Sequence, residues 1–442
     1  MASIILGMGF GFYSLSYAQM GGMSGGTGGG IPNIPGTEFG GATDPSSTRG
    51  ADGFRIVPLV SISERYDTNV FFAPKNQLQG LTAEDFITTV TPQVRALFTD
   101  SQTLVKINAV VGASGNYYVN NTGLSYVGAN AGAVLDMSNL LSRWRPGARW
   151  TVSETFFYSP QPPAFLPGSQ PEEQANLLVT GFQATRTKTH SNSVNTMFQL
   201  PLNKTVSFRG SYIHSFIDYG ASQVPQASAA LISQDAQAYT AGLLVQTSLQ
   251  DSVTVDFTSN EFDQGRFGTF RTKGGAIAWT HRFSHTISIN AAGGVQVLSG
   301  ESNGVQFSSV IAPFGSLAIR WMGPATNITL AYRSGIAPSF QFQSAALLNH
   351  SVSFNMVQGT PIRDLSGLFR GNYSVANEYG SNSGGAQSWT TVGGTAGLLY
   401  RATQKTFLTL TYDYQNVDNV FGGAHFAYQK HIAQLSLAQA FY

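Results

Sequence analysis

The chain has 442 residues, among them 49 Gly, 18 Pro, 30 Phe, 18 Tyr and no Cys, and its formal net charge is +1. Charged residues make up 11%, against ~25% in an ordinary soluble domain, yet mean hydropathy is only −0.03, so uncharged polar residues and Gly stand where charges would be. The charge balance gives no grip on nucleic acid, and the lack of Cys excludes a disulfide framework and thiolate metal sites while suiting an oxidising periplasm.

Residues 4–15 form a short apolar stretch, and Ser16-Tyr17-Ala18 puts small residues at both cleavage-recognition positions. Residues 1–18 therefore read as a secretory signal peptide cut after Ala18, although no Lys or Arg precedes Arg49 and the usual positive opening is missing. Residues 19–52 are rich in Gly with some Pro and show no periodicity, the composition of a flexible periplasmic tether. A phosphate-binding loop is excluded there, because no strand precedes, no helix follows and no Lys sits in the motif. No other segment has the ~20 apolar residues a helix needs to cross a bilayer, so a membrane crossing would have to use strands.

From residue 53 to residue 442 the dominant signal is period-two alternation. Phe86, Val90, Pro92, Val94, Ala96 and Phe98 share one face, opposite Thr89, Thr91, Gln93 and Arg95. Val105, Ile107, Ala109, Val111 and Tyr117 oppose Lys106, Asn108, Ser114 and Asn116. Ile287, Ile289, Ala291, Val295 and Val297 oppose Ser288, Asn290 and Gln296, and Leu408, Leu410, Tyr412 and Tyr414 oppose Thr409, Thr411, Asp413 and Gln415. Short turns are expected at 99–102, 142–147, 203–205, 250–252, 284–285, 323–326 and 402–404, with longer polar stretches such as 73–83, 159–177 and 220–234 between them. Short turns on one side and long loops on the other predict an all-β transmembrane, antiparallel up-and-down barrel. The runs number about eighteen strands, with sixteen as the alternative because the boundaries at 178–188 and 359–367 are weak.

Tyr and Phe gather toward run ends, as interfacial girdles require, though ordinary strand propensity enriches them too. The chain ends on Leu435, Leu437 and Phe441 sharing one face, with Tyr442 out of phase. This resembles the terminal strand that barrel-assembly machinery reads. Outer-membrane lipid and that machinery are the partners this implies.

Ser63-Glu64-Arg65-Tyr66-Asp67-Thr68-Asn69-Val70-Phe71 is similar to the opening motif of the outer-membrane β-barrel porins associated with exopolysaccharide export. Asp85-Phe86-Ile87-Thr88-Thr89-Val90-Thr91-Pro92 resembles that family's second strand. The family-like positions are Tyr66, Asp67, Asn69, Asp85 and Pro92. The resemblance implies a cell outer membrane location and a link to secreted polysaccharide, and it supplies no catalytic residues. On residue chemistry alone, Asp and Asn favour the turn and Tyr and Phe anchor the interface.

No catalytic constellation, cofactor motif or metal site is expected. His281 and His285 would lie ~13 Å apart in an extended chain, and the Gly112–Gly115 stretch does not form a nucleophile elbow. The polar faces instead collect Arg65, Arg95, Lys106, Arg209, Asp256, Arg333, Arg401 and Asp413. These either form a basic-leaning constriction favouring anionic solutes or sugars, or pair with one another across the lumen. The expected function is a porin-like channel for polar solutes or an exported polysaccharide. The alternative is a structural barrel whose N-terminal arm plugs the pore or docks a periplasmic partner.

Overall fold

The computed structural model describes residues 53–74, 78, 80–99, 104–159, 187–222, 233–265, 268–302, 305–338, 346–379, 388–421 and 424–441. The expected signal peptide and tether lie outside the described residues.

Alternating side chains across this span form eighteen strands: β1 (Gly53–Asp67), β2 (Asp85–Thr99), β3 (Lys106–Tyr118), β4 (Tyr126–Asp136), β5 (Arg149–Ser159), β6 (Thr187–Pro201), β7 (Val206–Ser222), β8 (Gln234–Gln246), β9 (Asp251–Asp263), β10 (Gly268–Arg282), β11 (Ile287–Ser302), β12 (Val305–Met322), β13 (Thr326–Pro338), β14 (Ala346–Gly359), β15 (Leu365–Tyr379), β16 (Ser388–Arg401), β17 (Thr406–Phe421) and β18 (Ala424–Ala440). Each pairs antiparallel with the next, and β1 also pairs with β18 from Leu59↔Ala440 to Asp67↔Ile432. The sheet therefore closes and leaves no open edge, which a bilayer demands.

The sixteen-strand alternative fails at a definite place. The weak boundary near residue 360 is a true turn: β14 ends at Gly359, Asp364 takes φ 62°, and β15 returns from Leu365. The boundary near 178–186 lies outside the described residues.

Following opposed residues once round the ring returns to β1 about 22 residues away from the start, which tilts the strands about 40° and sets a backbone radius of about 18 Å. Side chains alone do not fill a cylinder of that width.

One connection departs from the sequence expectation. A helix, α1 (Ser138–Trp144), precedes and runs into the turn expected at 142–147. The Asp136 carboxylate accepts the Ser138 N–H (2.9 Å), and the Arg145 guanidinium donates to the carbonyls of Pro201 and Leu202 in the neighbouring turn. Seven residues are too few for a helical period to stand out in the sequence.

The two faces differ as the alternation requires. Phe54, Ile56, Val94, Val111, Val255, Phe257, Ile277, Val295, Ile311, Leu410 and Leu435 are exposed on the outside. Ser61, Ser63, Thr91, Gln93, Asn116, Thr254, Thr258, Asn260, Thr409, Thr411 and Ser436 are buried on the inside. Two apolar clusters interrupt the inner wall. One joins Phe262, Phe270, Leu298 and Ala312, and the other joins Val70, Phe71, Ala73 and Leu78 to Ile87 and Tyr118.

Candidate functional site: the lumen wall and its inserted loop

The second cluster shows where the chain goes after β1. Ile87 and Tyr118 belong to the inward parity of β2 and β3, so Val70, Phe71 and Leu78 reach them only if the β1–β2 connection folds into the mouth of the barrel. Asn69 ties the loop's first turn: its Nδ2 donates to the Ala73 carbonyl (2.9 Å) and its Oδ1 accepts the Ala73 N–H (3.2 Å). Asp67 Oδ1 accepts the Asn69 N–H (3.0 Å), while its Oδ2 stands 2.9 Å from Lys430 Nζ. Lys430 also donates to the Asn69 carbonyl (3.1 Å) and lies 3.6 Å from the centre of the Phe72 ring. The ion pair, both side chains 1% exposed, thus joins the seam between β1 and β18 to the inserted loop.

The other motif positions are also architectural. Tyr66 points outward, its hydroxyl donating to Glu84 (2.6 Å) and its ring 4.9 Å from that of Phe86. Asp85 accepts the backbone N–H groups of Asn120 (2.8 Å) and Asn121 (2.7 Å) and the Asn121 amide (2.8 Å), which fastens the β3–β4 connection. Pro92 faces outward where the β2–β3 ladder skips from Val90↔Gly115 to Gln93↔Gly112, a gap that suits a residue without an N–H. Because the Asp85 bonds are charge-assisted and buried, Asp85→Ala should cost about 2–3 kcal/mol. Limited proteolysis should then cut the β3–β4 connection well before the barrel unfolds.

The charged candidates fall as follows. Arg65, Arg95, Lys106, Arg209, Asp256, Arg333 and Asp413 stand on inward parity. Arg95 Nε donates to Asn108 Oδ1 (3.1 Å), Lys106 opposes Asp136, and Arg333 opposes Ser316 and the buried Ser351. Arg209 and Asp256 form a forked pair across two strands, with Nε to Oδ1 at 2.8 Å. Arg401 is also on inward parity, but at the rim: it ends β16 half-exposed, with its guanidinium on Asp364 of the β14–β15 turn.

The sequence reading missed Lys430 and Arg370. Both alternate with the polar inner residues of their strands (Lys430 with Gln434 and Ser436, Arg370 with Asn372 and Ser374), so the signal was present. The registers line up Asp67, Ile432, Asp413, Thr395, Arg370 and Asn355 as opposed residues on successive strands. Thr395 donates to Asp413 (2.5 Å), and the charges of Arg370, Arg65 and Lys430 all act on that carboxylate. Asp85 on β2 opposes Asp67 and extends the same line, so this is a mixed band on the wall with cations and anions in equal number. Several polar atoms of the wall, among them Gln93 Nε2, Asn130 Nδ2, Asn195 Oδ1, Gln296 Nε2 and Asn372 Nδ2, are buried with no protein hydrogen-bond partner. Such a lining suits a wet interior.

The histidines are used locally. His281 Nδ1 is 2.7 Å from Asp251 and His425 Nε2 is 2.7 Å from Asp418, and among the described residues no three His, Asp or Glu converge as a metal site. No helix among the described residues is long and apolar enough to cross a membrane, a statement that does not bear on strands. With an apolar exterior, a polar interior and a closed ladder, the fold defines a membrane-spanning β-barrel.

No family model matches the chain, and no curated protein matches it. Solved structures that align with it include OccK11 (OpdR) of Pseudomonas aeruginosa, with 10% identity, 88% of this chain and 98% of that chain covered, and a TM-score of 0.44. OccAB4 of Acinetobacter baumannii aligns with 8% identity, 89% and 99% coverage, and a TM-score of 0.45. OpdK of Pseudomonas aeruginosa solved with vanillate aligns with 8% identity, 87% and 99% coverage, and a TM-score of 0.46.

Proposed function

We propose that this protein is an outer-membrane channel for passive passage of polar solutes, with a preference for anions. A closed ring of eighteen strands lined by polar side chains carries the reading. A wall of that circumference encloses more space than its own side chains occupy, and only water or aqueous solutes suit the polar remainder. The preference follows from the wall's charge. Arg65, Arg95, Lys106, Arg333, Arg370 and Lys430 face inward against Asp67, Asp85, Asp136 and Asp413, while Asp256 is engaged by Arg209. Arg65 adds a buried guanidinium whose Nε and Nη2 have no hydrogen-bond partner.

Purified protein in planar bilayers should give discrete conductance steps. In a salt gradient the reversal potential should have the sign of anion selectivity and move toward zero in Lys106→Gln. Folded protein that inserts repeatedly without conductance would overturn the channel reading, and a cation-selective potential would overturn the preference. Passage of a secreted polysaccharide is a narrower reading supported only by the opening-motif resemblance. Its residues Asp67, Asn69 and Asp85 are committed to loop and seam contacts.

A further inference from the structure

Around most of the circumference the outward residues at mid-strand are large and apolar, such as Leu330, Phe369, Leu398, Leu410 and Leu435. The arc from β3 to β8 differs. The outward face of β5 reads Trp150, Val152, Glu154, Phe156, Tyr158, so Glu154 lies midway between two girdle-type aromatics and is exposed. Its opposed neighbours, Ala133 on β4 and Val194 on β6, share that outward face, because Val134 and Asn195 beside them are buried inside. Asn192 Nδ2 donates to Glu154 Oε1 (3.0 Å), and Trp150 Nε1 donates to Thr196 Oγ1 (3.0 Å). His214, on the same parity of β7, opposes Val194 and sits 2.9 Å from Asp235. On the other flank, β4 shows Ala129, Ala131 and Ala133 between Val127 and Leu135, and β3 shows Ala109, Ala113 and Gly115 between its larger outward residues.

An ionisable group facing hydrocarbon at mid-depth is unfavourable unless something polar meets it. We propose that the β3–β8 face is where a second copy of this chain docks, with Glu154 at the centre of the contact. The patch carries acceptors and donors together: the Glu154 carboxylate accepts one bond from Asn192 of its own chain and has lone pairs for more, and the Asn192 amide has a second N–H, so a copy of the same surface can complete the carboxylate's shell. An acyl chain supplies neither donor nor acceptor. The alanine-rich flank lets two walls approach closely enough for side chains as short as Glu and Asn to reach across.

The test is photocrosslinking in intact outer membranes. A benzophenone-bearing phenylalanine in place of Phe156 should crosslink to peptides of this same chain, identified by mass spectrometry. The same probe in place of Val352, on β14 and diametrically opposite in the ring, should not. Adding Glu154→Leu should reduce the Phe156 yield about fivefold, the size of one hydrogen bond in a membrane interface. Heat-modifiable gel mobility shows that each variant is folded. Crosslinks only to lipid or to other proteins, equal yields at both positions, or no effect of Glu154→Leu in folded protein would overturn the proposal.

Discussion

Lys430→Met should destabilise the barrel by about 3–5 kcal/mol, the range for removing one partner of a buried ion pair. The side chain keeps most of its length and apolar volume, so the loss falls on charge rather than packing. What remains is Asp67, 1% exposed, without the cation that forms its ion pair. The Asn69 carbonyl loses its donor, and the Phe72 ring loses the ammonium lying 3.6 Å from its centre. Because these groups hold the inserted loop to the β1–β18 seam, the variant should also show larger and noisier conductance. Denaturant unfolding in detergent, followed by tryptophan fluorescence and heat-modifiable mobility, measures the stability. The double variant Asp67→Asn/Lys430→Met should recover most of the loss, since it removes the stranded charge. A single-variant loss under about 1 kcal/mol would mean that lumen water solvates Asp67, contrary to its burial.

The second large effect is expected from the smallest addition. Gly242→Ala puts a Cβ on the inner wall of β8, where it would meet Asp256 Oδ1 at 2.0 Å and the Val255 carbonyl oxygen at 2.4 Å. Neither can yield locally: the carbonyl is backbone in a ladder, and the carboxylate is held by the Arg209 fork. Arg209 on β7 and Asp256 on β9 have β8 between them, and they meet over it only because residue 242 has no side chain. Gly242→Ala should therefore cost about 3 kcal/mol, at the upper end of overpacking penalties. Gly275→Ala is the control. It lies on the outer face of β10, where the added Cβ finds only the Asp256 carbonyl oxygen at 3.7 Å. It should be neutral or stabilising by up to about 1 kcal/mol, as expected when a strand glycine gains a side chain. Unfolding midpoints of the two variants side by side decide the matter, and equal effects would mean that the inner wall relaxes freely.

Much of this architecture was legible in the chain. Period-two alternation assigns each residue a parity, and parity alone puts Arg65, Arg95, Lys106, Arg209, Asp256, Arg333 and Asp413 on one face and Val94, Val111, Val295 and Leu410 on the other. Alternation between short turns and long loops set the strand count and its antiparallel order. Helix α1 escaped because seven residues give no clear period. Glu154 escaped for another reason: its outward parity and its small apolar neighbours Ala133 and Val194 follow from the register of β5 with β4 and β6.

What the sequence by itself determined, then, is direction, in or out, because the pleat of a strand is a local property with a period of two. What only the tertiary structure decided is company. Asp67 and Lys430 are neighbours because the ring closes β1 onto β18, Arg209 reaches Asp256 because register puts Gly242 between them, and residues 70–73 turn inward because Ile87 and Tyr118 offer them an apolar wall. Those contacts depend on closure and stagger of the whole sheet, which are set by all eighteen ladders together and written in no single segment.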